Sequence, residues 1–217
     1  MKKIKSYTEP SPVWLSKKSY RGRWETISAK LEITIYTKEF ISLRKILNII
    51  SKNSVININD MYLINDWTYT KNKDILYYDE STINEIKNKK IFIAEMSIKS
   101  KYISGIMQYK EESLFCTEIW LDTKLLKYLD IDCITKRNKR IYDNITNIIM
   151  LYVKKENLYI CGIGIETSIK LHNEIYEIIY NSNNINRWII PKQKKQNFLN
   201  YEVEIYKDFL LLSKYNF

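Results

Sequence analysis

IFIAEMSIKSKYISGIMQYKEESLFCTEIWLD, residues 91–122, is the stretch of sequence that decides the fold. It contains three apolar runs without helical periodicity, which begin at Ile91, Lys101 and Leu114. Only a few turn-like residues separate one run from the next. Runs of strand length that are joined by such short connections predict an antiparallel meander.

The segments before this meander predict one strand and one helix. Apolar and polar side chains alternate over residues 26–37, which is the period of a half-buried strand. Thr37 then offers an N-cap to an amphipathic helix over residues 39–52. Residues 54–88 are rich in Asn, Asp and Lys and predict only short elements.

The segments after the meander predict helices over residues 138–155 and 168–180, and strands that begin at Leu158, Arg187, Tyr201 and Phe209. Sequential strands with helices at irregular intervals predict an α+β fold, namely a mainly antiparallel sheet with two or three amphipathic helices packed on it. We expect a basic and aromatic N-terminal segment over residues 1–24 and one α+β domain over residues 25–217. A division into two lobes near residues 122–137 is the alternative.

The composition is that of an AT-rich gene, with 37 isoleucines and 29 lysines but only 2 alanines and 4 glycines among 217 residues. The formal charge of +10 comes almost entirely from lysine, which such a gene supplies whether or not a polyanion is bound. The charge is therefore weak support for nucleic-acid binding. Glycine, proline and tryptophan need two G or C bases in every codon, so a cluster of them indicates a structural or functional requirement.

Cysteine usage and hydropathy restrict the environment of the protein. Cys116, Cys133 and Cys161 are odd in number, widely spaced and without a CxxC pair, which argues against a disulfide framework and a zinc site. We therefore expect a reducing, cytoplasmic location. No run of about 18 apolar residues is present, so we expect no contact with the membrane interior.

The sequence contains few residues that favour catalysis. His172 is the only histidine, and its place within the apolar spacing of the helix over residues 168–180 favours a structural or surface role over that of a catalytic base. Gly162 and Gly164 form a lone GxG inside a strand, which indicates a bulge or a close backbone approach more than a phosphate site. We expect no catalytic residue, no metal and no cofactor.

A metal-dependent nuclease is the catalytic alternative that stays open. Glu95, Glu118 and Asp122 lie on the predicted meander, with Lys99 and Lys124 available, and carboxylates of this kind hold divalent metal at a phosphate. Alternating charged residues are, however, also what a solvated sheet face shows. We rank the nuclease third among the functions considered.

The clearest departure from the codon background lies at the N-terminus. Of the 20 Gly, Ala, Pro, Arg and Trp residues in the chain, seven fall within residues 10–24. The arginines and tryptophans of this segment are candidate partner-binding residues, because these side chains dominate interface hot spots and also stack on bases. They are Trp14, Arg21, Arg23 and Trp24. The structural alternative is that the tryptophans anchor the chain end on the core.

Two further segments supply candidate partner-binding residues. Arg187 and Trp188 form a second local excess of rare residues, and for Trp188 the structural alternative is again that it anchors the chain on the core. Arg137 and Arg140 open the helix over residues 138–155, where cations oppose the helix dipole and an acidic partner would offset that cost. If these segments meet in space, they form one aromatic and cationic surface.

The favoured interpretation is a non-enzymatic, protein-binding module, monomeric or homodimeric, that occludes a toxin or enzyme with an acidic patch. In size and in its single binding face the chain resembles in kind the immunity and antitoxin proteins that AT-rich bacteria and mobile elements encode beside toxins. No shared motif supports this resemblance, so it transfers no site. The second interpretation is a nucleic-acid-binding accessory protein of a phage or mobile element.

Overall fold

The computed structural model describes residues 30–43, 56–65, 72–75, 78–98, 102–123, 133–192 and 198–216. Within these ranges the chain forms ten strands and three helices. The strands are β1 Lys30–Thr37, β2 Ile56–Ile64, β3 Asn72–Asp74, β4 Ile91–Ile98, β5 Tyr102–Glu111, β6 Leu114–Asp122, β7 Leu158–Ser168, β8 Asn183–Pro191, β9 Glu202–Tyr206 and β10 Phe209–Ser213. The helices are α1 Glu80–Lys87, α2 Lys139–Tyr152 and α3 Ile175–Asn181.

All ten strands belong to one antiparallel sheet in the order β3-β2-β4-β5-β6-β1-β7-β8-β10-β9. The predicted meander over residues 91–122 is confirmed as β4, β5 and β6, with Ala94 paired to Ile106 and Ile106 paired to Ile119. β1 pairs with β6 on one side and with β7 on the other. The first strand of the described chain therefore lies in the middle of the sheet.

Apolar side chains are buried on both faces of the sheet, because a strand directs successive side chains to opposite sides. Face 1 packs Ile33, Ile119 and Ile163 against Ile145 and other apolar residues of α2. Face 2 contains a second cluster of buried residues, which includes Ile178 and Ile179 of α3. The fold is thus broadly α+β, as the sequence predicts, but the sheet dominates it.

The beginnings of two predicted helices are wrong. Residues 39–42 are not helical, because the backbone N–H of Glu39 donates to Asn157 Oδ1 at 2.6 Å and the hydroxyl of Thr37 donates to the carbonyl of Glu39 at 2.9 Å. The helix predicted over residues 168–180 begins only at Ile175, because β7 continues to Ser168 and pairs there with β8. Residues 44–52 of the first helix lie outside the described residues.

Two cross-strand pairs of glycine and tryptophan organise face 2. Gly105 of β5 is paired with Trp120 of β6, and a Cβ added to Gly105 would lie 1.9 Å from Cζ2 of the indole. Gly162 of β7 is paired with Trp188 of β8, and its added Cβ would lie 3.1 Å from Cζ3 of that indole. Each indole thus packs over the backbone of its glycine partner, which covers a strand position that has no side chain of its own.

Gly164 shows the close backbone approach that the GxG pattern indicates. A Cβ at this position would lie 1.8 Å from the carbonyl oxygen of Asn184, and the register between β7 and β8 shifts at this residue. The two glycines of the pattern therefore serve packing and strand geometry, because Gly162 admits Trp188 and Gly164 admits the backbone of the next strand.

We predict that Gly105→Ala lowers the free energy of unfolding by about 1–3 kcal/mol, because the new methyl group overpacks the Trp120 ring. Urea denaturation measures the change. In a Trp120→Leu background the same substitution should cost at least about 1 kcal/mol less, on the order of a typical coupling energy. Equal losses in both backgrounds would show that the indole does not restrict residue 105.

Candidate functional site

Arg187 and Trp188 are both 0% exposed, so the prediction that they contact a partner is wrong. They are neighbours on β8, and they point to opposite faces of the sheet. Arg187 reaches α2 on face 1, and Trp188 packs beside Gly162 on face 2. The structural alternative, that the tryptophan is an anchor on the core, describes Trp188, whereas the burial of Arg187 was not predicted.

The Arg187 guanidinium bonds to four side chains from three segments of the chain. Nη1 donates to the carboxylate of Asp143 at 2.8 Å and to the hydroxyl of Thr146 at 3.1 Å, both on α2. Nε donates to Ser213 at 3.0 Å, and Nη2 donates to the Tyr215 hydroxyl at 3.0 Å. A buried guanidinium must be paired in this way, because an unpaired charge inside the fold is strongly destabilising. Arg187 therefore fixes α2 against β8 and β10.

Tyr215 carries this network to the end of the sheet. Its hydroxyl donates to Glu204 Oε1 of β9 at 3.0 Å, and its ring lies 5.7 Å from the Lys139 ammonium of α2. At the other end of the helix, Lys155 lies 3.4 Å from the carboxylate of Asp208, in the turn between β9 and β10. α2 therefore runs alongside β10 on face 1, next to the outer strand β9.

Arg137 and Arg140 are exposed, and their contact with a partner stays a prediction. With the exposed Lys136 they form the surface that we call the α2 cationic end. The side chain of Asn138, at the N-cap position, accepts a hydrogen bond from the backbone of Thr135 and makes no capping bond to the helix. No acidic residue lies in the first turn, so an acidic group brought by another molecule would be favoured there.

The other predicted residues, Trp14, Arg21, Arg23 and Trp24, lie outside the described residues. Their role in partner binding stays a prediction. Among the residues that the structure describes, Arg137 and Arg140 are the predicted arginines that lie at the surface. The second part of the candidate surface comes from residues that were not predicted as a site.

The strand β9 is the second part of the candidate surface, and it is the last strand at one end of the described sheet. All five of its residues are exposed. Tyr206 and Phe209 pair across the two-residue turn of the β9–β10 hairpin, which requires backbone hydrogen bonds between them. Because hydrogen-bonded and non-bonded pairs alternate along an antiparallel ladder, the N–H and C=O groups of Val203 and Ile205 point away from β10. We call these outward groups the β9 edge.

Apolar side chains are exposed beside the β9 edge. Val203 and Ile205 are 47% and 65% exposed, and they lie on face 2 because they are paired with Leu212 and Leu210. Leu199 is 69% exposed, and its carbonyl accepts a hydrogen bond from the hydroxyl of Tyr180 on α3. We call Tyr180, Leu199, Val203 and Ile205 the exposed apolar surface. Exposed apolar side chains that lie together are typical of interaction sites.

A polar cluster on face 2, which sequence reasoning missed, surrounds Glu118 of β6. The Tyr109 hydroxyl donates to Glu118 Oε1 at 2.8 Å, and Sγ of Cys116 lies 3.9 Å from the same oxygen. Burial, reinforced by the charges of Glu32 and Glu111, raises the pKa of Glu118 to about 7, although the hydrogen bond from Tyr109 opposes the shift. A carboxyl with such a pKa holds its proton in mildly acidic solution.

The carboxylates of the nuclease alternative do not converge. Glu95 is 1% exposed on β4, while Asp122 lies 3.8 Å from the Lys30 ammonium. Within the described ranges, no three His, Cys, Asp or Glu side chains are grouped so that they could hold a metal ion. His172 is exposed and precedes α3. None of the helices in the described part of the chain is long and apolar enough to cross a membrane.

Asp143→Ala should lower the free energy of unfolding by at least about 2 kcal/mol, because it leaves the buried charge of Arg187 without its carboxylate partner. Asp208→Ala is the matched control, since Asp208 pairs with Lys155 at a site where the acid is 67% exposed. The control should lose no more than about 1 kcal/mol in urea denaturation. Similar small losses in both variants would show that the Arg187 network does not hold α2.

Glu118→Gln should change the dependence of stability on pH. The pKa of Glu118 is raised in the folded state from its ordinary 4.5 to about 7, so the folded protein binds the proton more tightly. The stabilisation that this bound proton gives the folded state is complete below pH 4.5 and is lost as the pH rises through about 7. The loss of free energy of unfolding is on the order of 3 kcal/mol. Urea denaturation between these pH values should show the fall in the wild type and a shallower profile in the variant.

The control for Glu118→Gln is Glu112→Gln, which removes an exposed carboxyl from the turn between β5 and β6 and leaves the cluster intact. The control should keep the profile of the wild type. If Glu118→Gln keeps it as well, the neutral form of Glu118 does not stabilise the fold.

Comparison of the chain with protein-family models, with curated proteins and with solved structures finds no match. The function of the chain must therefore be inferred from the geometry of its described residues.

Proposed function

We propose that this protein is a non-enzymatic binding module of the immunity or antitoxin kind, which occludes a toxin or enzyme partner. The observation that carries the proposal is the exposed apolar surface beside the β9 edge, at the end of a sheet whose other apolar side chains are largely buried. Val203, Ile205 and Leu199 are the kind of side chains whose desolvation holds two proteins together.

The α2 cationic end lies on face 1 and the exposed apolar surface lies on face 2, so a partner seated at the β9 edge between them would contact both. Tyr215 links the start of α2 to the strand β9, because its ring lies 5.7 Å from the Lys139 ammonium while its hydroxyl donates to Glu204. An acidic patch on the partner would face Arg137 and Arg140, and attraction of this kind raises the association rate. The apolar side chains would limit dissociation. This arrangement replaces the contact surface that included Arg187 and Trp188.

The charges of β9 favour a protein partner over nucleic acid. Glu202 and Glu204 are exposed on the strand, and Glu204 is linked through Tyr215 to the segment that begins α2. Two carboxylates at this place would repel a phosphate backbone that follows Arg137 and Arg140. If nucleic acid were bound instead, affinity would fall with salt at a slope of about −0.9 per phosphate contact.

We predict that Ile205→Asp weakens binding of the partner by about 2 kcal/mol or more, because it places a charge in the centre of the apolar contact. The partner for the test is the protein encoded by the open reading frame directly upstream, and calorimetry at physiological salt measures the affinity. Leu151→Asp is the matched control, since Leu151 is 74% exposed on α2 and lies outside the exposed apolar surface.

The control variant should bind as the wild type does. Charge reversal at Arg137 and Arg140 should lower the association rate and leave the dissociation rate nearly unchanged. Undiminished binding by Ile205→Asp would contradict the proposal. So would a wild type that binds duplex DNA or RNA at low salt with the steep salt dependence of several phosphate contacts.

A further inference from the structure

The outer side of β9 offers backbone hydrogen-bonding groups, as well as side chains, to another molecule. The N–H and C=O groups of Val203 and Ile205 point away from β10, and β9 has no neighbour on that side within the described residues. Natural edge strands are commonly blunted by proline, by a bulge or by charged side chains, and of these β9 has the charges of Glu202 and Glu204. β9 has no proline, and its register with β10 runs without a shift from Glu202 to Tyr206.

From this geometry we infer that β9 binds its partner by strand addition, as the template for an extended segment of the partner protein. The inference rests on the proposed function and names the form of the partner. Main-chain hydrogen bonds to Val203 and Ile205 would supply the attachment, and the alternating side chains of β9 would select the sequence.

The side chains of β9 specify the chemistry of the added strand. Val203 and Ile205 lie on face 2, while Glu202 and Glu204 lie on face 1, where the Glu204 carboxylate accepts from Tyr215. Residues directly across a ladder interact, and opposite charges stabilise the pair. The added strand is therefore apolar at alternate positions and has lysine or arginine between them.

The same acidic side chains oppose two of the antiparallel registers in which β9 would pair with a second copy of itself. In the antiparallel register that pairs all five residues, Glu204 lies opposite the Glu204 of the other copy. In the register in which the two copies pair only over residues 202–204, each Glu202 lies opposite a Glu204. Like charges directly across a ladder are destabilising. Charge complementarity thus favours a basic segment of another protein as the occupant.

The test uses a short peptide in which valine and lysine alternate, together with a peptide in which glutamate replaces every lysine. Two-dimensional NMR on the full chain follows the amide signals and measures affinity. The lysine peptide should bind at least about tenfold more tightly than the glutamate peptide, which is within the range that opposite and like charge pairs across a ladder can produce. It should also slow the hydrogen exchange of the Val203 and Ile205 amides.

Two variants of one position separate backbone pairing from side-chain contact. Val203→Pro removes an N–H that points outward and leaves the bonds to β10 in place, which edge strands tolerate. Val203→Thr keeps the N–H with a side chain of similar size. Binding of the lysine peptide should be lost in the proline variant and retained in the threonine variant. Glu202→Lys should reverse the preference between the two peptides or at least abolish it.

Equal affinity for both peptides, equal binding by the proline and threonine variants, or no binding of the lysine peptide would overturn strand addition. Dimerisation of the chain alone, abolished by Val203→Pro, would also overturn it in favour of a second copy as the occupant. These measurements do not use the natural partner. Failure here therefore leaves the result of Ile205→Asp on partner binding to decide the proposed function separately.

Discussion

The charge of Arg187 is the constraint on which the arrangement of this end of the molecule depends. A guanidinium that is 0% exposed has to be paired, and its partners Asp143, Ser213 and Tyr215 come from α2, from β10 and from the residues after β10. The requirement leaves little freedom in how α2 lies against the sheet. Because Tyr215 then donates to Glu204, the same charge also determines where β9 lies relative to the start of the helix.

On face 2, the fold depends on two pairs of tryptophan and glycine whose shapes are complementary. Trp188 follows Arg187 in the chain and packs beside Gly162, while Trp120 covers Gly105 on the other side of β1. The indole Nε1 of Trp188 donates to the hydroxyl of Tyr201, just before β9. One dipeptide of β8 therefore supports the outer strand from both faces, through Tyr215 on face 1 and through Tyr201 on face 2. A partner that binds β9 meets a strand held by the core.

Much of the fold could be predicted from the sequence, because its strands follow one another with short turns. The meander over residues 91–122 is confirmed, and so are the two last strands, predicted from Tyr201 and Phe209, which pair as a hairpin. The helix starts at 39 and 168 were wrong for a common reason. Apolar spacing cannot show that Asn157 binds the backbone of Glu39, or that β7 extends to Ser168 because β8 pairs with it.

The site was less predictable from the sequence. A rare residue indicates a structural or functional requirement, but it does not show where in the fold that residue lies. Arg187, Trp188 and Gly162 are rare choices for this gene, and all three are buried and closely packed inside the fold. The alternation in YEVEIY, from Tyr201, predicts a strand, but only the order of the sheet shows that β9 is at its end. The cluster around Glu118 depends on pairing between β5 and β6, which no local pattern contains.

Amide hydrogen exchange in the free protein, read residue by residue along β9, tests most directly whether the β9 edge is open. The backbone of Glu204 is bonded to Leu211 of β10, whereas Val203 and Ile205 point to the open side. We expect slow exchange at Glu204 and fast exchange, near that of an unstructured peptide, at Val203 and Ile205. Slow exchange at all three amides would contradict an open edge, because another part of the chain or a second copy would then already occupy it.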